Sequence, residues 1–200
     1  MVGRAFLFDL DGTITKEEVL PAIARAIGLE DEIKILTDLT IQGVIPFNES
    51  FKMRFAMLRS IRAEHVRSVV KQVKMDENLV DFISNNKQHC FVATGNLHNW
   101  VGPLAKKLGC EVFANSAVET NGYLTALAPL TLKSAAAFKL RQRFDKIIAI
   151  GDGANDVPMF EVADCGIAYG GVHKPFSGLL DIADYVVYES GALCKLLNTL

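Results

Sequence analysis

Phe6-Leu7-Phe8-Asp9-Leu10-Asp11-Gly12-Thr13 is an apolar run that stops at two alternate aspartates. Far along the chain, Ile147-Ile148-Ala149-Ile150-Gly151-Asp152-Gly153-Ala154-Asn155-Asp156 repeats the arrangement, an apolar run ending in a polar, glycine-rich turn. Continuous apolar runs of this length, bounded by turn residues, read as strands buried on both faces, which is how parallel sheets are built. A buried strand hides its side chains, but its carboxyl end opens onto a loop. In open α/β sheets that edge is where ligands bind.

The pattern between the two runs supports such a sheet. After a strand at 4–9, residues 16–74 carry helical periodicity throughout: Val19, Leu20, Ile23 and Ile27, then 33–39, 47–58 and 66–73. Helices and short apolar runs then alternate. Helices near 77–86, 98–107 and 133–143 precede strands at 89–93, 111–114 and 146–150. Asn121-Gly122 marks a hairpin, short strands near 165–168 and 184–187 follow, and a helix near 191–198 closes the chain. The expected fold is therefore α/β, a Rossmann-like parallel sheet with helices on both faces. The helical block interrupts it after the first strand. We read residues 1–14 and 76–200 as the core and 15–75 as an inserted helical cap.

Composition narrows the function classes. Two hundred residues at 50% hydrophobic content bury a substantial core. A net charge of −2 provides no general attraction to nucleic acid or an anionic membrane. The apolar runs are too short to span a bilayer, and the first ten residues lack a secretory layout. Cys90, Cys110, Cys165 and Cys194 are scattered, as free thiols in a reducing compartment are, so a cytoplasmic protein is expected. His65, His89, His98 and His173 show no metal-ligand spacing, Trp100 reads as a packing residue, and nothing indicates a protein partner.

The paired carboxylates carry the chemistry. Asp9 and Asp11, two apart, project to the same side of an extended chain. Gathered with Asp152 and Asp156, they repel one another unless a cation sits among them, and all-oxygen ligation suits a hard ion such as Mg²⁺. A phosphomonoester dianion also repels an attacking aspartate, and Mg²⁺ cancels that repulsion. One carboxylate then serves as nucleophile and the other as general acid and base. The chain thus reads as a magnesium-dependent phosphoryl-transfer enzyme acting on a small phosphorylated metabolite. Asp156 fits either a direct ligand or a residue orienting one. Asn155 offers an amide donor to phosphate, and Thr94-Gly95-Asn96 at the end of another apolar run is either a phosphate cradle or a plain strand-to-helix turn. Lys133, at the opening of a helix, is either solvated or set to neutralise phosphate charge.

Within the cap, Arg54 falls on the apolar stripe of Phe47, Phe51, Phe55 and Leu58, where a charge is expensive unless paired. It binds either a substrate carboxylate or an acidic residue of the cap. Thr15 and Glu18 have the spacing of a capping box, a structural role. Residues 52–74 hold seven Lys/Arg against Glu64 alone, a solvated face or one that steers anions.

In its ordered set Asp9-Leu10-Asp11-Gly12-Thr13, Thr94-Gly95, Lys133 and Gly151-Asp152-Gly153-Ala154-Asn155-Asp156, the chain resembles the haloacid dehalogenase superfamily of phosphatases. Within that superfamily it is similar to the phosphoserine phosphatases. The resemblance implies that Asp9 is the nucleophile and Asp11 the acid/base. It implies Mg²⁺ held by Asp9, the Asp11 carbonyl and Asp152, with Asp156 assisting, and phosphate held by Thr94, Lys133 and Asn155. It also implies that Glu18 meets a substrate ammonium while Phe47 and Arg54 cover and clamp the amino-acid part. Other small phosphomonoesters, transfer to an alcohol acceptor, or a catalytically silent binding protein are the alternatives. Two departures stand out: Gly12 where the family often has serine, and Thr94-Gly95-Asn96 where it usually has Ser-Gly-Gly.

Overall fold

The computed structural model describes residues 3–200. Its centre is a six-stranded sheet of β1 (Arg4–Phe8), β2 (Cys90–Leu97), β3 (Glu111–Asn115), β6 (Lys146–Gly151), β7 (Cys165–Tyr169) and β8 (Tyr185–Val187), in the order β3-β2-β1-β6-β7-β8. All neighbours run parallel. Alternation along β1 feeds two cores. Phe6 and Phe8 pack with Phe82, Ile148 and Ile150 on one face, and Ala5 and Leu7 with Ala137, Leu140 and Ala149 on the other. Leu7 and Phe8 are 0% exposed, each burial contributing about 2 kcal/mol.

Register fixes the site. Phe8 pairs with Val92 on one side and Ile150 on the other, so the residues that follow all emerge at one edge. The chain order reverses here too: β2 lies to one side of β1 and β6 to the other, which opens the crevice where ligands bind in such sheets.

Between β1 and β2 the chain makes a helical excursion of α1 (Val19–Ala24), α2 (Glu30–Ile41), α3 (Phe47–Leu58) and α4 (Ala63–Val70). It leaves and returns through one narrow stem: Thr15 bridges Met75, the Lys16 amide donates to the Lys74 carbonyl at 2.8 Å, and the Asp76 amide to Ile14 at 2.8 Å. The buried face of α3 is Ser50, Phe51, Arg54, Phe55 and Leu58, as its apolar stripe predicts. Thr40 of α2 donates to the Ser50 hydroxyl at 2.6 Å and joins the two helices.

The remaining helices are α5 (Glu77–Asn85), α6 (His98–Leu108), α7 (Ser134–Arg141), α8 (Val157–Phe160), α9 (Ser177–Leu180) and α10 (Ser190–Thr199). Asp76 caps α5 through the amides of Asn78 and Leu79. The hairpin β4 (Ala117–Thr120) and β5 (Tyr123–Leu127) turns at Asn121-Gly122, both at positive φ, as that dipeptide predicts. It reaches the excursion: the Ala63 amide donates to the Gly122 carbonyl at 2.8 Å, and Arg67 pairs with Glu119 at 3.1 Å. No described helix is long and apolar enough to cross a membrane.

Candidate active site

Asp9 follows β1 directly, its amide donating to the Ile150 carbonyl at 2.8 Å. Lys133, the residue before α7, is buried rather than solvated. Its ammonium bonds the carboxylates of Asp9 and, at 2.6 Å, Asp156. The second oxygen of Asp156 accepts the amides of Asp152 (3.1 Å) and Gly153 (3.0 Å), so this side chain braces the turn after β6. Asp152 accepts the Thr13 hydroxyl on Oδ1 at 3.4 Å, while its Oδ2 is buried without a hydrogen-bond partner.

Asp9, Asp152 and Asp156 offer carboxylate oxygens that lie within 4.8 Å of one another. Among the described residues only Lys133 opposes them at bonding distance. Burial raises the Asp152 carboxyl well above the usual range, and neighbouring Asp9, Asp156 and Glu18 push it further. Burial likewise raises Asp9, with Lys133 offsetting part of the effect. Burial alone would lower Lys133, but Asp156 and Asp9 outweigh it and hold the ammonium above its ordinary range. Three carboxylates against one ammonium leave two uncompensated negative charges. With all-oxygen donors and an orphaned carboxylate oxygen, the residues fit a hard divalent cation.

Asp11 sits apart from this group. Its oxygens accept the Thr94 hydroxyl (3.1 Å), the Asn96 side-chain amide (2.9 Å to each oxygen) and the backbone amide of Val19 (3.2 Å). The last bond caps α1, and the expected capping box is absent. Glu18 occupies the N-cap with extended backbone and makes no capping bond. Thr15 Oγ1 instead accepts the Gly12 amide at 3.2 Å and donates to the Leu10 carbonyl at 3.1 Å. The helix begins only at Val19, so Glu18 precedes it rather than lying three residues inside, and a carboxylate delivered by the strand end meets its first amide. Glu18 is thereby released, and its Oε1 meets Nε2 of His173 at 3.1 Å.

Above the sheet edge is a cavity whose lining includes Asp9, Asp11, Glu18, Phe47, Arg54, Gly95, Asn96, Asp152 and Asn155. The sequence thus placed most of the expected site residues around one space. Thr94 lies behind the lining, its hydroxyl committed to Asp11. Gly95 has no room for a side chain, because a Cβ there would collide with the Phe47 ring. Arg54 is 4% exposed, donates to Thr37 Oγ1 at 3.0 Å and Ser50 O at 3.4 Å, and lies over the Phe51 ring at 5.9 Å. Among the described residues no carboxylate lies within 4.0 Å of it, so the acidic cap partner is not found. Burial pushes its guanidinium down to about 10, with Glu18 and Asp11 pulling the other way, and it stays charged at neutral pH.

Two residues of the site carried no sequence signal as such. His173 lies 155 positions from Glu18, and only the fold joins them. Asn96 was visible as a departure, but not as the residue gripping both oxygens of Asp11.

Comparison with known proteins accords with this geometry. The phosphoserine phosphatase of Methanocaldococcus jannaschii is 30% identical over 179 residues, covering 83% of this chain and 85% of that protein. That of Lactococcus lactis is 30% identical over 183 residues, covering 84% and 85%. A solved substrate-bound phosphoserine phosphatase complex superposes with a TM-score of 0.85 at 26% identity, over 100% of this chain and 99% of that one. A phospho-aspartyl intermediate analogue of phosphoserine phosphatase gives 0.82 at 28% identity, over 94% and 95%. The family model of haloacid dehalogenase-like hydrolases matches residues 6–161, and the chain belongs to that family.

Proposed function

We propose that the protein is a phosphoserine phosphatase, hydrolysing O-phospho-L-serine to serine and phosphate, with Asp9 as nucleophile. The observation that carries the substrate is Arg54: a buried guanidinium with no carboxylate partner among the described residues, lining the same cavity as Asp9. Its donors match a substrate carboxylate. Glu18, lining that cavity too, supplies the opposite charge for the ammonium. Together they read an amino-acid zwitterion that phosphoethanolamine, phosphoglycolate and sugar phosphates lack.

Lys133 holds the Asp9 carboxylate in place. An Asp9 oxygen attacks phosphorus, and the bond from phosphorus to the serine oxygen breaks. Asp11 gives its proton to that oxygen. A water then attacks the phosphoryl group on Asp9, Asp11 takes the water's proton, and the bond from phosphorus to Asp9 breaks. Asp11 is suited to both transfers because Thr94, Asn96 and Val19 fix its orientation. Asn155 and Gly95 would border the phosphoryl group, with Lys133 opposing its charge and Thr94 acting from behind through Asp11. Asp9 and Asp152, with the carbonyl of Asp11, would hold Mg²⁺, and Asp156 would brace them. The ion, when bound, neutralises charge on the phosphoryl oxygens. Residues 15–75 form a cap that closes over the site through the stem at Thr15 and Met75, excluding water while Asp9 is phosphorylated.

The test is phosphate release with Mg²⁺ from phosphoserine, phosphothreonine, phosphoethanolamine, phosphoglycolate and sugar phosphates. Strong preference for phosphoserine is the expected result. Robust release from the others with none from phosphoserine would keep the chemistry and overturn the substrate.

A further inference from the structure

We propose that His173 is a positioning residue for Glu18, and that through it the loop after β7 sets the preference for amine-bearing phosphomonoesters. The inference rests on the reading of Glu18 as the ammonium acceptor. Glu18 enters the cavity that Asp11 and Asp152 also line; burial disfavours its charge, and the Asp11 carboxylate disfavours it further. A free glutamate there would take up a proton or turn toward solvent. His173 opposes both: its Nε2 lies 3.1 Å from Oε1, while Oε2 has no partner among the described residues and remains for a ligand. Its loop is held to the sheet edge by the Phe176 amide, which donates to the Asp152 carbonyl at 2.8 Å.

Gly12 supplies the space. Its φ is +74°, and a Cβ added there would lie 2.8 Å from His173 Cδ2, 2.9 Å from Asp152 Oδ2 and 3.0 Å from Glu18 Oε1. Those contacts are too close for a Cβ, so a side chain at residue 12 would have to displace the side-chain ends it meets, the His173–Glu18 pair among them. The missing hydroxyl at residue 12, read from sequence as a departure from the family, thus belongs with a histidine reaching in from another loop.

The experiment compares kcat and KM for phosphoserine and for 3-phosphooxypropionate, the related molecule without the amine, in wild type, Glu18→Gln, His173→Ala and His173→Gln. Losing a hydrogen bond to a charged group predicts that His173→Ala cuts the preference for phosphoserine about tenfold, through KM rather than kcat. His173→Gln, which returns an N–H donor near Nε2, is expected to recover most of it. If Glu18→Gln erases the preference and His173→Ala leaves it intact, Glu18 keeps its role and that of His173 is overturned. If neither variant changes the preference, the ammonium reading fails and the role of His173 falls with it. Equal losses on both substrates from both His173 variants would mark a packing residue and also overturn the proposal.

Discussion

At the sheet edge, most charged side chains already have partners within the protein: Lys133 joins Asp9 and Asp156, Asp156 holds the turn after β6, and three donors fix Asp11, while Asp152 keeps one oxygen unpartnered. In the helical excursion the arrangement is the reverse. Arg54 is as buried as Asp9 yet bonds only neutral oxygens. Buried charge is costly wherever it sits, so the difference lies in where the compensation comes from. The edge holds its reacting groups in fixed geometry through internal bonds and leaves a negative excess that a metal cation can satisfy. The cap keeps an uncompensated cation, which a substrate anion can satisfy. On this account chemistry belongs to the edge and recognition to the cap.

The largest effect that would break this division is at Asp9. Asp9→Asn is expected to lower kcat about 10⁴-fold or more on every substrate, since a nucleophile is lost whatever the leaving group. Activity within tenfold of wild type would remove Asp9 from that role. Lys133→Met should come next, seen in stability. It leaves Asp9 and Asp156 buried without their cation, and urea unfolding in EDTA should show a loss of about 3–5 kcal/mol. An unchanged midpoint would mean that the internal pairing is not what holds the edge together.

A smaller effect sharpens the comparison through pH. Asp9 and Asp152 have carboxyls raised by burial, and Glu18 shifts the same way for the same first cause. Groups whose folded values exceed their unfolded values, about 4 for carboxyls, contribute stability below that pH and lose it as pH rises through the folded values. His173, raised first by its bond to Glu18, has the same sign and loses its contribution above about 6.5. The metal-free protein should therefore become less stable from pH 5 to pH 8. Mg²⁺, binding the deprotonated carboxylates, should restore more at pH 8 than at pH 5, about 2–3 kcal/mol at a hundredfold excess over Kd. Thermal melts at the two pH values with and without Mg²⁺ measure both. A metal-free Tm that rises with pH would contradict the burial argument.

The fold was largely legible because the strands are short apolar runs with turn residues at their ends, and the edge carboxylates because they follow those runs. What escaped depended on distant packing. Residues 94–96 read as the end of a strand and a turn, yet β2 continues through them to Leu97, opposite Asn115 of β3. The helices α8 and α9 have four residues each, too few for periodicity to register. Local spacing pointed to Thr15 and Glu18 as a cap, whereas the chain's reversal brings Asp11 to the amide of Val19. Arg54 was visible as a charge on an apolar stripe, but its lack of an acidic partner required the fold.

The most direct test of the division between edge and cap is kcat/KM of Arg54→Ala on phosphoserine and on phosphoethanolamine, which keeps the amine and lacks the carboxylate. Removing one member of a buried charge pair costs about 2–5 kcal/mol, so phosphoserine should lose about a hundredfold while phosphoethanolamine changes little. Equal losses on both substrates would contradict the account, placing Arg54 in the support of the site rather than in recognition.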